Sequence, residues 1–369
     1  MGTEDLLTRS STGAVHSRRR PEFHELTVAH VERLCDDAVA VTFDVPLELQ
    51  AEFEFRAGQS LTLRRVIDGR DERRSYSICA MAGTKPRIGV REVPGGAFSP
   101  WLVHEVRPGD RVEVLPPTGT FTPDTVPARH VLLAAGSGIT PVMSILSTVL
   151  RDPAATAVVL YGNRRTNTVM FADELADLKD RYTARMELVH VLSREPREAE
   201  LFTGRLDGEK LRTLLPLLVQ VATVDHWWLC GPFGMVTEAR EVLAELGVPR
   251  ERIHFELFYV EDTPPEQVHH VDQVATGPSA EVTVRLDGRT TTTAVPRETT
   301  LLEGAQRVRP DLPFACKGGV CGTCRAKVVS GKVHMRRNFA LEDAEVDAGF
   351  VVTCQTVPTS DAVEIDFDQ

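Results

Sequence analysis

The sequence predicts a multidomain chain: an antiparallel β-barrel, then an α/β domain on a parallel sheet, then a small C-terminal domain around a cysteine loop. Three observations predict it. Short alternating segments bounded by turns occupy residues 22–124, and strand–helix alternation occupies about 127–260. Four of the seven cysteines fall in the last sixty residues.

A chain of 369 residues exceeds one ordinary hydrophobic core and calls for two or three domains. Its 42% hydrophobic and 26% charged content is that of a globular protein. The net charge of −11 argues against nucleic acid, which would ask for a basic stripe, and gives no support to an anionic membrane surface. No stretch reaches the roughly 18 apolar residues that span a bilayer. The longest candidate, Leu214 to Val224, is interrupted by Pro216 and Gln220 and reads as core. Glu4 and Asp5 stand near the start and no apolar run follows Arg18–Arg20, so no secretory signal is recognisable and a cytoplasmic location is expected.

Residues 1–20 are polar and read as a disordered tail. The barrel is expected over 21–125, on runs such as Leu26–Val31, Val39–Phe43 and Arg111–Leu115 with little helical periodicity. Over 126–260, His130–Ala135, Ala157–Tyr161, Met186–Leu192 and Trp227–Cys230 read as buried strands. Phe171–Arg181, Gly208–Leu218 and Thr237–Leu246 read as the helices between them. Residues 261–280, with Pro264–Pro265 and several charges, read as a linker. The last domain, 281–369, opens with two alternating runs around Asp287–Gly288, a hairpin signal, and a helix-like Thr300–Val308.

Cys316, Cys321 and Cys324 have the spacing C-x4-C-x2-C, and Cys354 lies thirty positions further on. A [2Fe–2S] cluster needs four thiolates, and a compact loop can supply three while a distant strand brings the fourth. Glycines 318, 319 and 322 let the loop fold tightly and aim N–H groups at the sulfurs. A zinc site would pair two C-x2-C knuckles, and Cys354 has no such neighbour. This segment resembles plant-type ferredoxins. The resemblance implies a β-grasp fold, with Cys316 and Cys321 on one iron and Cys324 and Cys354 on the other.

Arg74-Ser75-Tyr76-Ser77 reads as a barrel strand, and Gly95-Gly96-Ala97-Phe98-Ser99 follows as the opening of a short helix. A flavin dinucleotide wants a cation and a helix N-terminus for its pyrophosphate and an aromatic beside its ring, and this region offers them in order. Next, His130–Ala135 runs into Gly136-Ser137-Gly138-Ile139-Thr140-Pro141. A buried strand entering Gly-x-Gly and a helix start is a phosphate site, with Pro141 suiting the first helical turn. Leu229-Cys230-Gly231-Pro232 ends a further strand in the same way.

Together these motifs resemble the ferredoxin–NADP reductase superfamily. That implies a six-stranded FAD-binding barrel and an NAD(P)-binding domain, with a β-grasp ferredoxin domain after them. Carried over, Arg74 holds the FAD pyrophosphate with Gly96 and Ser99, Tyr76 packs on the flavin, and Ser77 sits near its N5. Ser75, Val90, Arg91 and Phe98 join the cofactor-binding set. Gly136, Gly138, Thr140 and Pro141 serve the nicotinamide cofactor with Cys230, Gly231 and Pro232. Ser77, Cys230 and Glu256 are the expected catalytic residues.

The adenosine ribose should be read where the Ala157–Tyr161 strand ends, in Gly162-Asn163-Arg164-Arg165, with no carboxylate in the chain until Asp173. An NAD site commonly places an acidic side chain about 20 residues after the glycines. Two guanidiniums suit a 2′-phosphate instead, so NADPH is expected over NADH, held by Arg164 and Arg165.

A reductase core followed by a ferredoxin resembles oxygenase reductases. Phe23–Ala29, Tyr161–Arg164, Gly204–Leu211 and Leu312–Ala315 resemble the reductase subunits of bacterial phenylacetyl-CoA epoxidases. The partner so implied is a separate, multisubunit di-iron oxygenase; none of the expected helices of this chain carries a Glu-x-x-His pair of di-iron type. Reductases of steroid-ring hydroxylases share the layout, and a non-catalytic electron-transfer subunit is the reading of another class. The intact Gly136-x-Gly138-x-x-Pro141 and Cys230-Gly231-Pro232 motifs argue against the latter.

Overall fold

The computed structural model describes residues 22–67, 69–96, 98–124, 127–258 and 278–369. The tail expected over 1–20 and residues 261–277 of the expected linker lie outside the described residues.

The first domain holds β1 (His24–Cys35), β2 (Ala38–Asp44), β3 (Ser60–Ile67), β4 (Arg70–Ser77), β5 (Arg87–Arg91) and β6 (Arg111–Val114), with α1 (Ser99–His104) before β6. The six strands pair antiparallel in the order β4-β3-β6-β1-β2-β5. A bridge from Ile78 to Ile88, just beyond β4, joins the two outer strands, so the sheet closes on itself. Period-two alternation turns Leu26, Val28, Val41, Phe43, Leu61 and Leu63 into its core.

The second domain runs β7 (Arg129–Ala135), α2 (Ile139–Val149), β8 (Thr156–Asn163), α3 (Ala172–Arg181), β9 (Met186–Leu192), α4 (Gly208–Leu218), β10 (His226–Gly231), α5 (Phe233–Glu245) and β11 (Ile253–Leu257). Its strands are parallel, in the order β11-β10-β7-β8-β9. The chain therefore winds outward from β7 in both directions. The switch point between β7 and β10 opens a crevice at their C-terminal ends, where α2 and α5 begin. The Leu214–Val224 stretch is the last turn of α4 and a 3-10 turn over Val221–Thr223. One face of the sheet shares a core with the barrel, through Ala38, Ala57 and Phe121, and the other packs on α4 and α5.

The third domain holds β12 (Ser279–Leu286), β13 (Arg289–Pro296), α6 (Leu301–Gln306), β14 (Arg325–Ser330), β15 (Val333–Met335), α7 (Asp343–Asp347), β16 (Phe350–Val352), β17 (Thr356–Pro358) and β18 (Ala362–Asp366). A mixed sheet, β13-β12-β18-β14-β16, packs around α6, with β12 and β18 parallel and β15 paired to β17. The Asp287–Gly288 turn has both φ angles positive, at 53° and 67°, as a two-residue hairpin of this type requires. The helix is shorter than the expected 300–308, because Thr300 stands outside it as a cap, accepting from the Glu303 amide at 3.3 Å. No helix among the described residues is long and apolar enough to cross a membrane.

Candidate functional site

One cleft of about 2270 Å³ is walled by all three domains. The barrel contributes Arg74, Ser75, Tyr76, Ser77, Arg91, Gly96, Phe98 and Ser99, the second domain Gly136, Thr140, Arg164, Gly231, Pro232 and Glu256, and the third Cys316 and Cys321.

On β4, Arg74 Nη1 donates to Glu72 Oε2 at 3.0 Å and to the Arg73 carbonyl at 2.7 Å, which holds the guanidinium against the cleft wall. Ser75 and Thr62 share a hydroxyl hydrogen bond of 3.0 Å. The Tyr76 ring packs at 6.1 Å from Phe98, and burial raises its hydroxyl pKa. The glycine turn is stapled by Ser99 Oγ, which accepts from the Val93 amide at 2.9 Å. A Cβ on Gly96 would stand 2.9 Å from the Val93 carbonyl oxygen, so only glycine closes this turn.

At the switch point, a Cβ on Gly138 would sit 2.1 Å from the Cys230 carbonyl oxygen, and one on Gly231 would sit 2.9 Å from Met235 Cε. The two glycines let the ends of β7 and β10 close together beneath a cradle that larger residues would fill. Gly136 has φ +56° and lies beside the Arg91 guanidinium, while Thr140 Oγ1 donates to the Ser137 carbonyl at 2.7 Å. Asn163 is buried on the cleft wall at the end of β8, and neither end of its amide meets a partner among the described residues. A buried amide of this kind is a ready reader of a bound nucleotide. Asn163 and Arg205 fall inside stretches that carry the resemblance but are not among the expected site residues, and no motif marks Ser193 and Arg194 on the same wall.

Ser77 Oγ donates to Glu256 Oε2 at 3.2 Å, joining barrel and second domain at the cleft. Burial pushes the Glu256 carboxyl up to about 7, and the serine hydrogen bond offsets part of this. Cys230 stands beside Glu256 in the β10–β11 register; burial raises its thiol pKa well above the ordinary value, so it is a neutral thiol.

Some expected residues are placed elsewhere. Val90 is fully buried, with its side chain in the barrel core rather than on the cleft. Cys230, Gly138 and Pro141 are buried behind the cleft's lining rather than on it. Arg164 lines the cleft with its guanidinium 3.3 Å from Asp37 of the barrel, whereas Arg165 is exposed outside it, its amide donating to Thr168 Oγ1 at 3.1 Å. Alternation along β5 and β10 explains Val90 and Cys230, whose strand neighbours Gly89, Arg91 and Gly231 line the cleft.

In the third domain, Cys316, Cys321 and Cys324 occupy the loop between α6 and β14, and Cys354 sits in a 3-10 turn after β16. The sulfurs fall in two contacting pairs, Cys316 with Cys321 and Cys324 with Cys354. Among the described residues no three ligand-type side chains converge as around a single ion. Two thiol pairs are the donor set a two-iron cluster needs. The Gly318 and Cys321 amides donate to Cys316 Sγ at 3.3 and 3.4 Å. The Cys321 thiol draws the Cys316 pKa down to about 6 against the opposing effect of burial, helped by the Val320, Cys321 and Gly318 amides. The loop turns through positive φ at Lys317, Gly319 and Gly322, and Gln355 Nε2 clamps it on the Lys317 carbonyl at 2.7 Å. Arg73 of the barrel covers the Phe314 ring at 4.5 Å, so the segment leading into the loop rests against β4.

Family models agree with this layout. An oxidoreductase FAD-binding domain matches residues 25–122, an oxidoreductase NAD-binding domain 132–241, and a 2Fe-2S iron-sulfur cluster binding domain 284–359. The chain is 41% identical to one subunit of the 1,2-phenylacetyl-CoA epoxidase of Escherichia coli, over 94% of this chain and 98% of that protein. It is 34% identical to the ferredoxin reductase component of 3-ketosteroid-9-alpha-monooxygenase from Mycobacterium tuberculosis, over 94% of this chain and 96% of that protein. Phthalate dioxygenase reductase shares the fold, with a TM-score of 0.59 at 24% identity over 94% of this chain and 98% of its own. With a flavin-type barrel wall, a dinucleotide crevice and a four-cysteine loop facing one cleft, the chain belongs to the family of oxygenase reductase components that join FAD-binding, NAD-binding and C-terminal 2Fe-2S domains.

Proposed function

We propose that this chain is the NADPH-dependent reductase of a separate, multisubunit di-iron oxygenase that epoxidises the ring of phenylacetyl-CoA in the cytoplasm. The observation that carries this reading is the 41% identity to a phenylacetyl-CoA epoxidase component along almost the full length of both chains. When bound, FAD supplies the exchange between a two-electron hydride donor and a one-electron cluster. The chain's own groups hold and orient. Arg74, released from Glu72, faces the FAD pyrophosphate with Gly96 and Ser99, and Tyr76 and Phe98 supply the aromatic wall. Gly136, Thr140, Gly231 and Pro232 cradle the nicotinamide cofactor, backed by Gly138, Pro141 and Cys230, with Arg164 toward the 2′-phosphate. Ser77 and Glu256 form a hydrogen-bonded pair able to hold or pass a proton near neutral pH, since Glu256 titrates at about 7. Cys316, Cys321, Cys324 and Cys354 hold the cluster.

The test is reconstitution with a phenylacetyl-CoA epoxidase oxygenase component. NADPH-driven oxygen uptake coupled to substrate loss is expected, with a higher kcat/KM for NADPH than for NADH. The 34% identity to a ketosteroid monooxygenase reductase supports a second reading, a steroid-ring partner. Coupled turnover with that oxygenase alone would replace the first reading by the second.

A further inference from the structure

Two aromatic rings meet where the second and third domains touch. Phe233 follows Gly231–Pro232 and opens α5, and its ring lies edge-on to Phe339, with centroids 5.1 Å apart and planes at 66°. Phe339 and Val320 pack against the core that includes Met235, Val236 and Leu257. Phe339 is also tied to the cysteine loop, because its amide donates to the Gly319 carbonyl at 3.0 Å. Asn338 stiffens the segment that carries it: Oδ1 accepts from the Ala340 and Leu341 amides at 3.2 and 2.9 Å, and Nδ2 donates to the Leu341 carbonyl at 2.9 Å. The cleft wall includes Gly231, Pro232 and Phe233 on one side and Asn338, Phe339 and Leu341 on the other.

We propose that residues 337–341 of the ferredoxin domain form part of the nicotinamide-cofactor site, seated there by Phe339 on Phe233, so that cofactor binding and docking of the cluster loop favour one another. The inference rests on the reading that the cofactor lies along Gly136–Thr140 and Gly231–Pro232. Phe233 directly follows the Gly231–Pro232 turn on which the nicotinamide half of the cofactor would lie, so the ring that fixes Phe233 borders that half of the ligand. Phe339 acts through Phe233 and through Gly319, which makes it a positioning residue. Because the coupling is a free energy between two events, it must run both ways. A bound cofactor then holds the cluster loop beside the flavin wall as electrons arrive.

The test uses the full chain with FAD and cluster in place. NADP⁺ and 2′,5′-ADP, which lacks the nicotinamide half, are titrated by calorimetry into wild type, Phe339→Ala and Phe339→Leu. Phe339→Ala should weaken NADP⁺ about three- to tenfold, the usual worth of an aromatic pair, with Phe339→Leu between it and the parent. Binding of 2′,5′-ADP should stay as in the parent. By reciprocity, NADP⁺ should slow amide exchange across 336–341 in the wild-type protein, a measurement that stands even where a variant loses its cluster. Equal NADP⁺ affinity in Phe339→Ala with parental FAD and iron content would overturn the proposal, and so would exchange across 336–341 that ignores NADP⁺. A wild-type protein that binds neither ligand would instead overturn the placement of the cofactor, and this inference with it.

Discussion

Replacing Glu256 by Gln should flatten a pH dependence of stability that the wild-type protein carries. Burial lifts this carboxyl from 4.5 to about 7, against the partly compensating hydrogen bond from Ser77 at 3.2 Å. Between those values the folded protein keeps a proton that the unfolded chain has released. The stabilisation is therefore whole below the unfolded pKa and is lost as pH rises through about 7. A rise from 4.5 to about 7 corresponds to at most about 3–4 kcal/mol, at about 1.4 kcal/mol per pH unit. Burial lowers the pKa values of His130, His190 and His254, and these groups pull the other way, stabilising the fold as pH rises. Glu256→Gln leaves all three in place, so the difference between wild type and variant isolates the carboxyl. Urea unfolding can be followed by the fluorescence of Trp227 and Trp228, both buried on β10 beside β11. Relative to wild type, the variant should gain about 1–3 kcal/mol between about pH 5 and about pH 8. Stabilities that run parallel over that range would refute the reasoning.

Arg74→Ala should weaken FAD retention by about 1.5–3 kcal/mol, the worth of a charge-assisted hydrogen bond; unchanged FAD content after dialysis would remove Arg74 from the site. Cys321→Ser should abolish the cluster by iron analysis and keep NADPH-driven reduction of a small dye. Loss of that dye activity with FAD still bound would contradict the order flavin then cluster. Gly138→Ala, whose Cβ would stand 2.1 Å from the Cys230 carbonyl oxygen, should cost about 1–3 kcal/mol of stability and weaken NADP⁺ in calorimetry. Arg164→Ala should lower the ratio of kcat/KM for NADPH over NADH, and an unaltered ratio would place 2′-phosphate recognition elsewhere.

What can be read from the sequence is what a few consecutive residues determine through their own backbone. The cysteine loop announces itself because its turns need glycine at fixed offsets, and the Gly136–Pro141 turn because a strand must reverse into a helix there. Which way each motif residue faces is less legible. Val90 and Cys230 belong to the expected site yet point into cores, since alternation along a strand depends on which face the fold buries. Contacts between domains are not legible at all. Ser77 and Glu256 are 179 positions apart, and nothing local to either residue marks their hydrogen bond. Phe233 and Phe339 are likewise ordinary apolar residues until the third domain settles on the second.

The proposed preference for NADPH shows how such a distant contact bears on specificity. That expectation rests on the carboxylates that follow β8 along the chain, but the carboxylate nearest Arg164 comes from the β1–β2 turn, 127 positions earlier. Asp37 lies 3.3 Å from the Arg164 guanidinium and could compete with a 2′-phosphate for it. Magnitudes decide between competition and preorganisation. The arginine side chain is 52% exposed and that of Asp37 28%, and ion pairs this open to water contribute only about 0–1 kcal/mol. A phosphate held by a guanidinium through charge-assisted hydrogen bonds contributes about 1.5–3 kcal/mol per bond. A 2′-phosphate would therefore outcompete Asp37, while Asp37 keeps the arginine near the wall when no cofactor is bound. Arg194 and Arg205 on the same wall add cations whose attraction a lone ribose hydroxyl cannot use. On this balance the barrel carboxylate orients Arg164 more than it opposes the phosphate, and the proposed preference for NADPH is compatible with its presence.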